Sequence, residues 1–259
     1  MLQDRYGQSL STNSAAARDA YVDAVDRFLA AEEGIPVAFE KAISHDPDFA
    51  LAHIGLARYH QLFGRRDEIN RHLAIANEAL ELYEWEAANV AISGLILTGN
   101  GAAAYPKIRG HLLDHPRDAM LAQTCMGVFG LIGFSGQPGR EAEQLAFTTS
   151  LAPHYGSDWW FQGVHAFAQM ESGQIGPAEK SIEASLAKRP GSANGAHYRS
   201  HLYYEKGEST EGYRFICDWM KGYGRDGFMH THLSWHTALW ALEQGDEETM
   251  WRVVNNEVA

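Results

Sequence analysis

The chain has 259 residues, 45% of them hydrophobic, enough to bury a sizeable core as one large domain or as an extended array. Its 21 Lys and Arg stand against 33 Asp and Glu, and a formal charge of −12 repels phosphate backbones and anionic lipid heads, so neither nucleic acid nor membrane is expected as a partner. Two cysteines, Cys125 and Cys217, are too few for a disulfide framework and point to a reducing, cytoplasmic setting.

In chain order, MLQDRYGQSLSTNS is polar from its third residue and lacks the basic start and apolar stretch of a signal peptide. Residues 1–14 therefore read as a cap segment. Ser11-Thr12-Asn13-Ser14 before an Ala-rich run is an N-cap signal, and helix is predicted from there, with Tyr21, Val25, Phe28 and Leu29 at spacings of three and four. Turns follow at Asp46-Pro47, His115-Pro116, Ala152-Pro153 and Arg189-Pro190, whose prolines lie 69, 37 and 37 residues apart. The first interval is about two repeats, which puts a repeat without its proline around Leu80 to Trp85; one more step of 37 lands on Gly227 in the turn-like stretch Tyr223 to Gly227.

A period of about 34 to 37 residues is that of a tetratricopeptide helix-turn-helix. First helices are predicted near 48–63, 84–98, 118–131, 157–172, 193–206 and 229–243, and second helices near 66–81, 101–114, 139–150, 175–187 and 209–221. Gly127 to Gly139 reads as a helix end and a bent connection. The apolar stretches Val90 to Leu97 and Val128 to Phe134 are too short to span a bilayer. Ala38 to Pro47 followed by Ala52 to Tyr59 matches the second helix, closing Asp-Pro and next first helix of such repeats, and Ala178 to Pro190 is a second match. The expected fold is all-α: residues 15–259 as one right-handed superhelix of tetratricopeptide-like repeats.

Two His-x-x-x-His pairs stand out, His197/His201 and His232/His236, each ahead of the turn glycine of its repeat. Aligned on Gly207 and Gly245, they lie six and ten, and nine and thirteen, residues before the glycine. Steps of three and four keep one stripe of a helix, so four imidazoles are expected to share a face. A third pair, His111/His115, ends a helix beside Pro116, where a cation near the last carbonyls is reason enough for histidine. Trp159, Trp160, Phe161, Tyr198, Tyr203, Tyr204, Trp235 and Trp240 crowd the same three first helices. No G-x-S-x-G, phosphate loop or H-E-x-x-H is present, and no catalytic residue is assigned.

Gly7 to Thr12, Leu112-Leu113-Asp114-His115-Pro116-Arg117-Asp118, and His232-Leu233-Ser234-Trp235-His236-Thr237-Ala238-Leu239 resemble, in that order, the tetratricopeptide repeat protein 38-like family. The resemblance implies an all-helical repeat fold and carries no assigned reaction. The family's members are longer, which implies a chain cut short at its C-terminus. Its motifs map onto His197, His201, His232, Trp235 and His236. They place a further histidine and its glutamate slightly earlier than Tyr203, Tyr204 and Glu205 stand here, so the acidic partner is not carried across.

Three functions remain open. The leading one is a groove for a small molecule or a peptide or protein partner, contacted by His197, His201, Glu205, His232, Trp235 and His236. The second is a metal-dependent enzyme with zinc or iron on His197, His201, His232 and His236. The third is a plain assembly scaffold, its histidines satisfying hydrogen bonds between helices. Eight residues of helix rise about 12 Å, so His197 and Glu205 do not share an ion, and Glu205 is expected beside His201.

Overall fold

The computed structural model describes residues 1–258, and the statements below concern those residues. Helix dominates. The one sheet is a two-stranded hairpin, β1 Leu2–Gln3 against β2 Ser9–Leu10, which strand patterning was too weak to reveal over two residues a side. Fourteen α-helices follow, and they divide into two compact units.

The first unit comprises Met1–Phe28 and Gly34–Gly136. It is built from α1 Ala15–Ala30, α2 Ile35–His45, α3 Ala50–Leu62, α4 Arg66–Glu78, α5 Glu84–Leu97, α6 Gly101–Asp114 and α7 Ala119–Gln123. Helix α1 starts where the N-cap signal put it, with Ser14 Oγ accepting the Ala17 N–H at 3.1 Å. Gly55 on α3 lets α2 approach closely, since a Cβ there would lie 2.2 Å from the Phe39 ring. Ala50, Ile54, Ala76 and Val90 close a small-residue core between α3, α4 and α5.

The helix expected over 118–131 ends after one turn. Thr124 turns its hydroxyl back onto the Leu121 carbonyl at 2.6 Å, Gly127 takes φ +76°, and the Leu131 N–H returns to the Thr124 carbonyl at 2.9 Å. A side chain at Gly130 or Gly133 would collide with backbone, so the glycines permit a chain that folds back on itself. His111 lies in the last turn of α6, where the sequence put it, and its Nε2 meets the buried Asp118 carboxylate at 2.9 Å, which also receives Asn89 Nδ2 and caps α7 through the Leu121 N–H.

The second unit comprises Leu29–Glu33 and the chain from Gln137 onward. It holds α8 Arg140–Tyr155, α9 Trp159–Glu171, α10 Ile175–Lys188, α11 Ala193–Lys206, α12 Ser209–Met220, α13 His230–Glu243 and α14 Glu247–Val253. Helix α8 runs two residues past Pro153 and closes at Gly156, so this turn lies later than the proline spacing suggested. Phe167, Met170, Ile182, Leu186 and Leu202 form one core, and Ile216, Tyr223, Leu233 and Trp240 another. Arg189 grips Glu32 with two bonds of 2.6 Å, and the Tyr223 hydroxyl donates to the Ala31 carbonyl at 2.6 Å. The Leu29–Glu33 segment is thereby fixed against the starts of α11 and α13.

Candidate metal centre

Helices α11 and α13 are placed by their ends and by what packs behind them. Ser192 Oγ caps α11 by accepting the Gly195 N–H at 3.0 Å, and Gly207 closes it at φ +69°. Behind α13, Trp240 sits over Gly212 of α12, where a Cβ would come within 2.6 Å of the indole. Two polar residues on these helices are accommodated locally. Thr237 is buried and donates to the Leu233 carbonyl at 3.1 Å; Arg199 lies over the Tyr203 and Phe215 rings at 5.6 and 4.8 Å.

On the facing stripes of these two helices the four histidines meet through the same ring atom. His201 Nε2 and His232 Nε2 each lie 2.9 Å from His197 Nε2, and His236 Nε2 lies 3.2 Å from His232 Nε2. His197, His201 and His236 also each bring a ligand atom within 4.8 Å of the other two. Phe167 of α9 walls the cluster, stacked at 6.2 Å on His197 and edge-on at 5.6 Å to His201. All four histidines are half-buried.

Burial sets their charge state. Desolvation pushes His197 well below its ordinary value, with the three neighbouring imidazoles adding to the effect. It takes His201 to about 4, helped by His232, and His236 to about 3, helped by His201 and His232. His232 is lowered by desolvation as well. The cluster is thus four neutral imidazoles at pH 7, the protonation state that a metal ion requires.

Hydrogen bonding alone does not satisfy this geometry. In a neutral ring Nε2 carries either one proton or one lone pair, so four Nε2 atoms make at most two mutual hydrogen bonds. Three contacts are present, and His197 and His232 each take part in two of them. A cation accepts all four lone pairs at once. For zinc at about 2.0–2.1 Å from each nitrogen, a tetrahedron has nitrogen–nitrogen edges of about 3.3 Å. The three contacts of 2.9, 2.9 and 3.2 Å are within a few tenths of an ångström of that, while His232 joins the close set of His197, His201 and His236 through His197 and His236 and is not within 4.8 Å of all three.

The structure brings together His197, His201, His232 and His236 but neither of the other two residues singled out from sequence. Glu205 is exposed one turn beyond His201, and its charge is felt by Glu171, whose pKa is raised by partial burial and then by Glu205 and Glu141. Trp235 is 45% exposed on the outer side of α13. Among the crowded aromatics Trp160, Phe161 and Trp240 are core, while Tyr204 and Trp235 face solvent. Sequence reasoning missed Phe167, which nothing in an apolar helix distinguished, and a group of His53, His60, Glu68 and His72 in the first unit, whose one signal was the four-residue spacing of Glu68 and His72.

No helix is long and apolar enough to cross a membrane among the described residues. No known protein-family profile matches the chain. Solved structures to which the chain is similar include a monomeric mutant of IFIT1 with m7Gppp-AAAA, at TM-score 0.53, and the human IFIT1 dimer with PPP-AAAA, at 0.51. Each is 14% identical, with 98% of this chain covered, and the chain spans 67% and 65% of their respective lengths. Both hold nucleic-acid ligands, which overturns the exclusion of nucleic acid drawn from the −12 charge. Net charge sums a whole surface and does not describe the lining of one groove. What the likeness establishes is architecture: the chain has an all-α, tetratricopeptide-like helical-repeat fold.

Proposed function

We propose that this helical-repeat protein binds a transition-metal ion through His197, His201, His232 and His236. The observation that carries the reading is the excess of Nε2 contacts over what neutral imidazoles satisfy among themselves. Zinc fits best, because four nitrogen donors from two rigid helices make a four-coordinate set. Iron is less well served, since the carboxylate that would complete its preferred set, Glu205, stands outside the cluster.

The ion would serve as the contact point for a partner. All four histidines keep some exposure, and Tyr204 and Trp235 put exposed aromatic surface on the same two helices, which supports a small molecule or a peptide side chain reaching the metal. A metal-dependent reaction is the second reading; it needs a coordination position left open to substrate. The test is elemental analysis of protein made without a His tag. Wild type should carry one metal equivalent more than the His201→Ala/His236→Ala variant, and equal content in the two would overturn the proposal.

A further inference from the structure

The second group of histidines lies in the first unit, on the hairpin of α3 and α4. His53 and His60 stand two turns apart on one face of α3, and Glu68 and His72 one turn apart on α4. The turn between the helices is tight, with Gly64 at φ +64°, so the two faces meet. His60, Glu68 and His72 each bring a ligand atom within 4.8 Å of the other two. His53 and His72 are 2% exposed and His60 8%, so these imidazoles are buried more deeply than those of the first group, while the Glu68 side chain is 42% exposed.

Their proton arrangement follows from the bonds. His53 Nε2 is 2.8 Å from the Pro47 carbonyl, which only accepts, so this nitrogen carries the proton. His53 Nδ1 is then a lone pair and receives the proton of His72 Nδ1 at 2.8 Å. That leaves a lone pair on His72 Nε2, 4.0 Å from Glu68 Oε2. An outer hydrogen bond that fixes the tautomer and frees the other nitrogen is the usual support of a metal-bound histidine. His60 supplies an independent sign: the residue is 8% exposed, yet its Nδ1 is buried without a hydrogen-bond partner.

A cationic group already reaches this spot. The Arg71 guanidinium is hydrogen-bonded to Glu68 Oε2, and the same terminal nitrogen lies 3.1 Å from His72 Nε2. The two donor atoms are therefore aimed at one positive centre. The Arg71 side chain is 59% exposed, so water is there to receive it when a metal ion takes its place.

We propose that His60, Glu68 and His72 form a second site for a divalent first-row metal ion, with His53 as the positioning residue behind His72 and Arg71 as the group the ion displaces. Two imidazoles and one carboxylate are a ligand set for iron(II), cobalt(II) or zinc that leaves positions open to solvent or substrate. Both sites accept cobalt(II), and the two are chemically distinct, one all-nitrogen and one mixed.

The test is cobalt(II) titration followed by its visible absorption, on wild type and on the His201→Ala/His236→Ala background that removes the four-histidine centre. The background should still bind one equivalent. Glu68→Gln, which removes a ligand, should weaken binding in that background at least about tenfold, and Arg71→Gln, which removes a neighbouring cation outside the coordination sphere, should tighten it by about tenfold, the scale on which such outer groups act. A purely structural Glu68–Arg71 ion pair predicts no tightening. Both side chains are on the surface of α4, so circular dichroism should be unchanged. The proposal is overturned if the background binds no cobalt or if Arg71→Gln weakens binding. Failure of the four-histidine centre reads differently: wild type and background would then bind alike.

Discussion

The Nε2 of His197 faces two other nitrogens of its own kind, and that single atom separates a metal site from a polar helix contact. It also makes the metal-free protein acid-sensitive. His201 and His236 titrate at about 4 and about 3 when folded, against 6.5 ordinarily, so between those limits the unfolded chain binds protons that the folded chain does not. Stability is fully present above about pH 6.5 and falls as the pH drops toward 4, by about 1.4 kcal/mol per pH unit for each histidine involved. Thermal melts of chelator-treated protein from pH 7.5 to 4.5 should show this slope, and it should flatten in His201→Ala/His236→Ala. An equal slope in both would mean that the acid sensitivity comes from other groups. The four positions were legible in the sequence because spacings of three and four survive any helix; that their ring nitrogens meet was not, because it depends on how far apart α11 and α13 sit.

That separation is set by an element with no histidine in it. Helix α12 packs behind both, and Gly212 is where it does so most closely, with Trp240 of α13 at 2.6 Å and Tyr203 Cβ of α11 at 2.9 Å from the Cβ it lacks. Gly212→Ala should destabilise the protein by about 1–3 kcal/mol through overpacking, and it should weaken metal binding although it touches no ligand. Gly110→Ala on α6 has open space around its Cβ and should be neutral or slightly stabilising in the same denaturation experiment. If both substitutions behave alike, close packing at Gly212 is not what positions α13. Helices with regular apolar spacing were legible from sequence, including the cap at Ser14. The early end of α7 was not, because glycine in a helical pattern does not say whether the chain continues or turns back.

At the scale of the whole molecule, the charge of −12 first served to exclude anionic partners, and for nucleic acid that use failed. The same excess of carboxylates has a second consequence, which does not depend on any groove. A strongly negative surface raises the local concentration of divalent cations and speeds their capture. Near the four-histidine centre the field has a local source, since Glu205 lies one turn beyond His201 and couples to Glu171, one turn beyond Phe167. Neither carboxylate is a ligand, so their influence should fall on the rate of capture and not on the rate of release. Raising ionic strength from about 0.01 M to about 1 M shortens the screening length from about 30 Å to about 3 Å. Stopped-flow capture of cobalt(II) should therefore slow by about tenfold or more over that range, while release into excess chelator changes little. Glu171→Gln/Glu205→Gln should lower the low-salt rate and leave the high-salt rate where it was. Capture that ignores salt, or a variant whose release rate rises instead, would put these carboxylates in the coordination sphere or remove them from the process altogether.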